Sequence, residues 1–368
     1  MKFLAYVVGV GIIILCLTDI YLTVLFPSLG TSILSLPLGQ RLWGLFRWVA
    51  CNIPLKKEKL LSHSGPTLMI ITVVMWLSLL IVGFALIVWT QLGSAIQASE
   101  GKTPTDFITA LYYSGFTLTT LGTGDLTPKT DIQRFLMIFQ SALGFSIFTL
   151  TITYLLSVYT ALVRRNTFAL SLHHRSAGTA DAAEILARLG ASGELSGVQQ
   201  DISQLARDLI NLLESQHSYP ALLYFRFHQN YYALPRILFL AMDTVTLIKS
   251  ALNTKKHKAL VDSTAVAELW GGGLQLLIEI SRLFSLKACA NQTNDNLEQV
   301  WRERYYDAVE RLKQEGIETA PDLEAGANLY ISLRQRWNFY LTGLTNHMAY
   351  DWGEIALCEN CKKNLQLW

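Results

Sequence analysis

The residues Thr119-Thr120-Leu121-Gly122-Thr123-Gly124-Asp125 combine types whose chemistry is done mainly by the backbone. A cation leaving water must exchange its hydration shell for other oxygens, and stacked rings of backbone carbonyls can supply them. To aim successive carbonyls at one axis, an extended chain must alternate right- and left-handed backbone values, and left-handed values are cheap only for glycine. Gly122 and Gly124 have the required spacing of two. Thr120 can add a ring of hydroxyls at the inner end, and Asp125 a carboxylate at the outer mouth. The pattern predicts an ion filter made of Thr120, Leu121, Gly122, Thr123 and Gly124.

Such a filter needs elements to hold it. Thr103 and Pro104, with Thr105 or Asp106 as a cap, predict the start of a helix. The apolar and aromatic run that follows is too short to cross a bilayer, which takes about 20 residues, so it predicts a re-entrant helix. Its partly negative C-terminus would favour a cation in front of it. Non-helical backbone at membrane depth is tolerated only where it is buried in protein or lines a water-filled cavity. That condition calls for several subunits around an axis.

Three apolar stretches are long enough to span: Phe3–Phe26, Pro66–Leu92 and Ile132–Val163. The first has only Lys2 ahead of it and no small-residue cleavage site after it, so it predicts a retained anchor rather than a signal peptide. Residues 1–165 hold 11 Lys/Arg against 6 Asp/Glu, a net of +5, and residues 166–368 hold 19 against 22, a net of −3. Between the first two spans lie Arg41, Arg47, Lys56, Lys57 and Lys59, and the third ends in Arg164-Arg165. The bias of basic residues predicts that residues 27–65 and everything after 164 are cytoplasmic, with the N-terminus outside. Trp43, Phe46 and Trp48 beside Arg41 and Arg47 predict that Ile33–Ile53 lies flat at the cytoplasmic interface, a short membrane dip being the alternative. Asp19, an acid within a span, is a functional suspect by default; pairing with a nearby Arg or contact with water is the structural alternative.

The stretch from Thr103 to Pro128 resembles the potassium-channel pore signature, in which a helix with an aromatic pair leads into Thr-Val-Gly-Tyr-Gly-Asp. The matching residues are Phe107, Ala110, Tyr112, Tyr113, Ser114, Thr117, Thr119, Thr120, Gly122, Gly124, Asp125 and Pro128. With the flanking outer helix (66–92) and inner helix (132–163), the resemblance covers roughly 100 residues. It implies a homo-tetramer that conducts potassium as its permeant ion, with no further metal or cofactor. Leu121 for Val is a mild departure. Thr123 stands where the family has Tyr or Phe, an aromatic that braces the filter against the pore helix, and threonine is too short to reach Tyr112 or Tyr113. A weakly selective cation pore is therefore the close alternative, and a non-conducting membrane sensor the second. Gly144 stands where family members often have a hinge glycine. Close helix packing explains it equally well. Thr149, Thr153 and Leu156 share one helical face and could line the cavity.

Residues 166–368 show helical periodicity. Helices are expected near Thr179–Leu189, Leu195–Gln216, Pro220–Tyr232, Pro235–Leu252, Ala259–Leu286, Asn294–Gln314, Pro321–Leu341 and Asn346–Ile355, with Pro220, Pro235 and Pro321 in first turns. Gly271-Gly272-Gly273 predicts a bend or break inside one of them. No G-x-G-x-x-G after a strand marks a nucleotide-binding domain, and no P-loop, nucleophile elbow or metal-ligand cluster marks an enzyme. Nothing in the charge balance points to nucleic acid. The aromatic and histidine cluster at Tyr219–Tyr232 predicts packed helices, with a cytoplasmic ligand as the alternative. Five scattered cysteines exclude a disulfide framework, and the C-x-x-C at Cys358 and Cys361 is expected to be a tail turn with free thiols.

The expected fold is thus an all-α membrane protein in the cell membrane. It comprises residues 1–65 (first span and interfacial helix), 66–165 (pore) and 166–368 (cytoplasmic helical domain).

Overall fold

The computed structural model describes residues 2–26, 32–53, 57–190, 195, 197–284 and 295–356. Cys289, Cys358 and Cys361 lie outside them. The chain is an all-α membrane protein with three helices long and apolar enough to cross a bilayer. It divides into two compact units, one of Met1–Phe46 with Ser64–Thr160, the other of Arg47–His63 with Ala161–Trp368.

The first span is α1 (Lys2–Ile20), continued by a π-helical turn over Tyr21–Leu25. Next come α2 (Ser35–Asn52), within the expected interfacial stretch, and α3 (Lys57–Ser62). The second span is α4 (Ser64–Trp89) and the third begins α6 (Asp131–Arg175), which runs well beyond the expected end at Val163. Between them stand β1 (Ile96–Ala98), α5 (Phe107–Leu118) and β2 (Leu126–Pro128).

Small residues let α1 sit directly on α4. A Cβ on Gly9 would come within 2.6 Å of the Gly83 carbonyl oxygen, so only glycine permits this approach. Ile13, Cys16 and Ile20 then bury against Trp76, Leu80, Phe84 and Ile87.

Asp19 lies at this contact and is fully buried. Its partners are not arginines. Oδ1 accepts from the Leu34 and Ser35 backbone N–H groups at 2.7 and 3.2 Å, and Oδ2 from Trp76 Nε1 at 2.8 Å. Ser35 opens α2, so the carboxylate of α1 satisfies orphan donors at the positive end of α2 and ties three helices together. Replacing Asp19 with alanine leaves those donors buried and bare, a loss of about 3 kcal/mol. Thermal unfolding of the detergent-purified protein checks this. Asn, which keeps one acceptor, is expected to lose about half as much, and an alanine variant as stable as wild type would refute the latch.

The second unit is a helical bundle: the end of α6, then α7 (Ala182–Leu189), α8 (Val198–Ser218), α9 (Leu234–Ala251), α10 (Lys258–Val261), α11 (Thr264–Leu283), α12 (Asp295–Gln314), α13 (Leu323–His347) and α14 (Trp352–Ile355). At its centre is α9, buried along nearly its whole length. Asp181, Ser263 and Asp322 cap α7, α11 and α13 by accepting backbone N–H bonds. Ser263 accounts for the division of the expected Ala259–Leu286 helix into α10 and α11. Pro321 precedes the Asp322 cap, so it stands before the first turn and not in it.

Two expectations fail for a tertiary reason. Gly271–Gly273 do not break α11. Gly273 instead faces Met242 and Leu209, where a Cβ would strike the Met242 sulfur, so the glycine serves close packing on α9 and α8. Residues 220–232 do not form a helix but two short 3₁₀ turns, Pro220–Tyr224 and Asn230–Tyr232. The Leu222 and Phe225 carbonyls, which a helix would use internally, accept from Arg165 Nη1 and Nη2 at 2.9 Å each. Arg226 stacks over Tyr350 at 4.1 Å and donates to the Ala349 carbonyl at 3.0 Å. His228 pairs with Glu58 at 2.7 Å. Side chains remote in sequence thus satisfy this segment's backbone better than its own periodicity could.

Candidate functional site: the Thr120–Asp125 segment

The short helix α5 starts where its cap dictates. Asp106 accepts from the Thr109 N–H at 3.0 Å and from the Thr109 hydroxyl at 2.8 Å. Ala110, Tyr113 and Phe116 bury against Ala85 and Val88 of α4 and against Ile96 and Leu126 of the two strands. The inner helix α6 takes up the carbonyls at the far end. Gln140 Nε2 donates to the Ser114 carbonyl at 2.9 Å, and the Ser141 hydroxyl to that of Thr117 at 3.0 Å. Gly144 makes the same approach possible, because a Cβ there would lie 2.9 Å from the Leu118 carbonyl carbon and closer still to its oxygen. Of the two roles open to Gly144, packing is the one visible in the structure.

The chain then leaves the helix abruptly. The Leu121 N–H donates to the Phe116 carbonyl at 2.9 Å and the Thr120 N–H to that of Thr117 at 3.2 Å. From there φ alternates in sign: +59° at Thr120, +61° at Gly122 and +77° at Gly124, while Leu121 and Thr123 stay negative. The glycines behave as their spacing predicts. Thr120 does not, since a β-branched residue in the left-handed region is an outlier. That placement costs about 1–2 kcal/mol, and strain of this kind persists where surrounding structure over-determines it. Here the two backbone bonds to α5 do so.

All residues from Thr119 to Asp125 are exposed. Among the described residues, the carbonyls of Thr120, Leu121, Gly122 and Thr123 accept no hydrogen bond, whereas that of Gly124 accepts one from the Ser99 hydroxyl. Beyond Gly124 the antiparallel pair β1–β2, with Ala98 opposite Leu126 and Ile96 opposite Pro128, anchors the segment's outer end. Neither the strand pair nor Ser99 is marked by any sequence signal, because three-residue strands carry no usable periodicity.

Thr123 is supported in a way its length alone did not predict. Its hydroxyl donates to Asp125 Oδ1 at 2.5 Å.

Further down α6, Thr149, Thr153 and Leu156 are exposed on one face, as their spacing predicts. Both threonine hydroxyls bond the carbonyl one turn earlier. Among the described residues, no group of three His, Cys, Asp or Glu side chains could hold a metal ion.

Residues 70–161, from within α4 to the far side of the filter segment in α6, match the family described as "Ion channel". That stretch is similar to an ion-channel family. It contains the capped helix, the alternating backbone and most of both flanking spans. The chain is also 31% identical, over 159 residues, to an uncharacterized membrane protein of Bacillus subtilis (strain 168), YdjJ. That similarity covers 42% of this chain and 45% of the relative, so the chain spans about half the relative's length. No solved structure matches.

Proposed function

We propose that this chain forms a cation channel by assembling as a tetramer around the Thr120–Asp125 segment, and that potassium is its permeant ion. The observation that carries the reading is a run of four exposed carbonyls, Thr120 to Thr123, without a donor among the described residues, on backbone that alternates in handedness. Four such runs around an axis stack rings of oxygens that replace a cation's water shell. The α5 helix contributes the negative end of its dipole nearby. Passage is passive and needs no cofactor. In this reading the N-terminus faces outside, the bundle after residue 164 lies in the cytoplasm, and that bundle sets assembly or gating. A bend at Gly144 would accompany opening, with Thr149, Thr153 and Leu156 lining the cavity.

Ion flux in liposomes holding the purified full chain tests the reading. The expected result is a current whose reversal potential in mixed potassium and sodium follows the potassium gradient. Absence of any current overturns the channel reading. A reversal potential near zero supports a weakly selective pore of the same architecture, which the missing aromatic at 123 favours. Thr123→Tyr is expected to keep permeation and sharpen potassium preference, by about tenfold if the ring supplies roughly 1.4 kcal/mol of discrimination. Lower selectivity in that variant would show that the Thr123–Asp125 bond, and not a ring, is the brace this filter uses.

A further inference from the structure

The outer end of the filter is tied by a residue outside the pore signature. The pairing of β1 with β2 sets Ala98 opposite Leu126, and the chain continues by one residue on each side. Ser99 N–H then donates to the Asp125 carbonyl at 2.8 Å, and Ser99 Oγ to the Gly124 carbonyl at 2.5 Å. The turn that presents Ser99 is itself fixed, since the Thr103 hydroxyl accepts from the Ala98 N–H at 2.9 Å. The register of a three-residue strand thus delivers a hydroxyl to one carbonyl of the filter and to no other.

The consequence follows from lone-pair accounting. A carbonyl oxygen has two lone pairs. One that already accepts an O–H has a single lone pair left for a cation, and the hydroxyl's positive hydrogen opposes a cation approaching it. Thr120 to Thr123 carry no such burden.

We propose that Ser99 ends the ion ladder at Thr123 by occupying the Gly124 carbonyl, and is therefore a specificity-determining residue for cation binding at the outer mouth. This rests on the channel reading above. Ser99 acts as a positioning residue through Gly124, and the ligand it tunes is the permeant or blocking cation entering from outside.

The test compares the wild-type full chain with Ser99→Ala and Ser99→Thr in planar bilayers, using barium as the blocking cation, applied to either side. Freeing one hydrogen-bonded acceptor in each subunit is expected to tighten external block by about three- to tenfold in the Ser99→Ala protein. Internal block is expected to stay within about twofold, and Ser99→Thr, which keeps the hydroxyl, to follow wild type. Unchanged external block in a conducting Ser99→Ala protein overturns the inference while leaving the channel reading intact. So does an equal shift on both faces, or the same shift in the threonine variant, since either would mean a general disturbance of the filter. No conduction by wild type would defeat the channel reading itself and the inference with it.

Discussion

Gly122→Ala is expected to abolish cation flux while leaving the helices folded. Nothing lies within 4 Å of where the new Cβ would sit, so the methyl group meets no clash in the chain. The cost is conformational. At φ +61° an L-residue with a side chain pays about 1–2 kcal/mol, and the proposed tetramer would pay it once in each subunit. Thr120 already holds a β-branched residue at φ +59° two positions earlier. A second strained residue in the same short segment relaxes most cheaply by rotating the peptide, which turns a carbonyl away from the proposed ion path. Gly101→Ala is the matched control. Gly101 has φ +73° and equally open surroundings, but it stands in the loop between β1 and α5. It carries the same backbone penalty and is expected to conduct normally. Liposome flux at matched protein density checks both. Flux in Gly122→Ala within a factor of about two of the control would mean that the left-handed backbone at 122 is not needed for conduction.

Asp243→Asn is expected to destabilise the helical unit by about 3–5 kcal/mol, the usual cost of removing one partner from a buried ion pair. Asp243 is fully buried on the central helix α9. Arg304 Nη2 meets Oδ2 at 2.7 Å, the Tyr330 hydroxyl donates to Oδ1 at 2.6 Å, and Arg334 Nη1 lies 3.3 Å from Oδ1. Burial pushes the Asp243 carboxyl up, but Arg304, Arg334 and the Tyr330 hydroxyl outweigh it and hold the group below the usual carboxylate range. Arg334 is also surrounded by rings, with Trp301 and Trp337 each at 5.3 Å. Those faces favour the guanidinium but cannot neutralise it. Without the carboxylate, two guanidiniums share the core, and among the described residues the ion-pair partner left is the partly exposed Asp181, 3.5 Å from Arg304. Urea unfolding of the full chain in detergent, followed by tryptophan fluorescence, checks the size of the effect. A loss below about 1 kcal/mol would place the network among ion pairs of little net worth.

The two results probe different levels of what is legible in the residues. The alternating backbone of Thr120–Gly124 was readable because its physics is local. Gly122 and Gly124 need left-handed backbone for reasons internal to one strand, and the structure places both there. The spans were readable because bilayer thickness imposes a length on any apolar helix. The cap at Asp106 and the helix over Phe107–Leu118 follow from side chains within one turn of each other.

What required the tertiary structure was every feature in which distant residues compete for one backbone group. Pro220–Tyr232 has helical periodicity, yet Arg165 claims its carbonyls from 57 and 60 residues away. Gly271–Gly273 looks like a break until Met242 is seen packed against Gly273. Asp19 was legible as an oddity, but its partners, Trp76 and the start of α2, were not. Ser99 left no trace at all, because its role depends on the register of two three-residue strands. Composition, spacing and local backbone preference thus determined the spans, the short helix α5 and the alternating backbone that follows it. Only the folded chain decided which carbonyls of that segment stay open, since a donor 25 residues away reaches Gly124 through strand pairing.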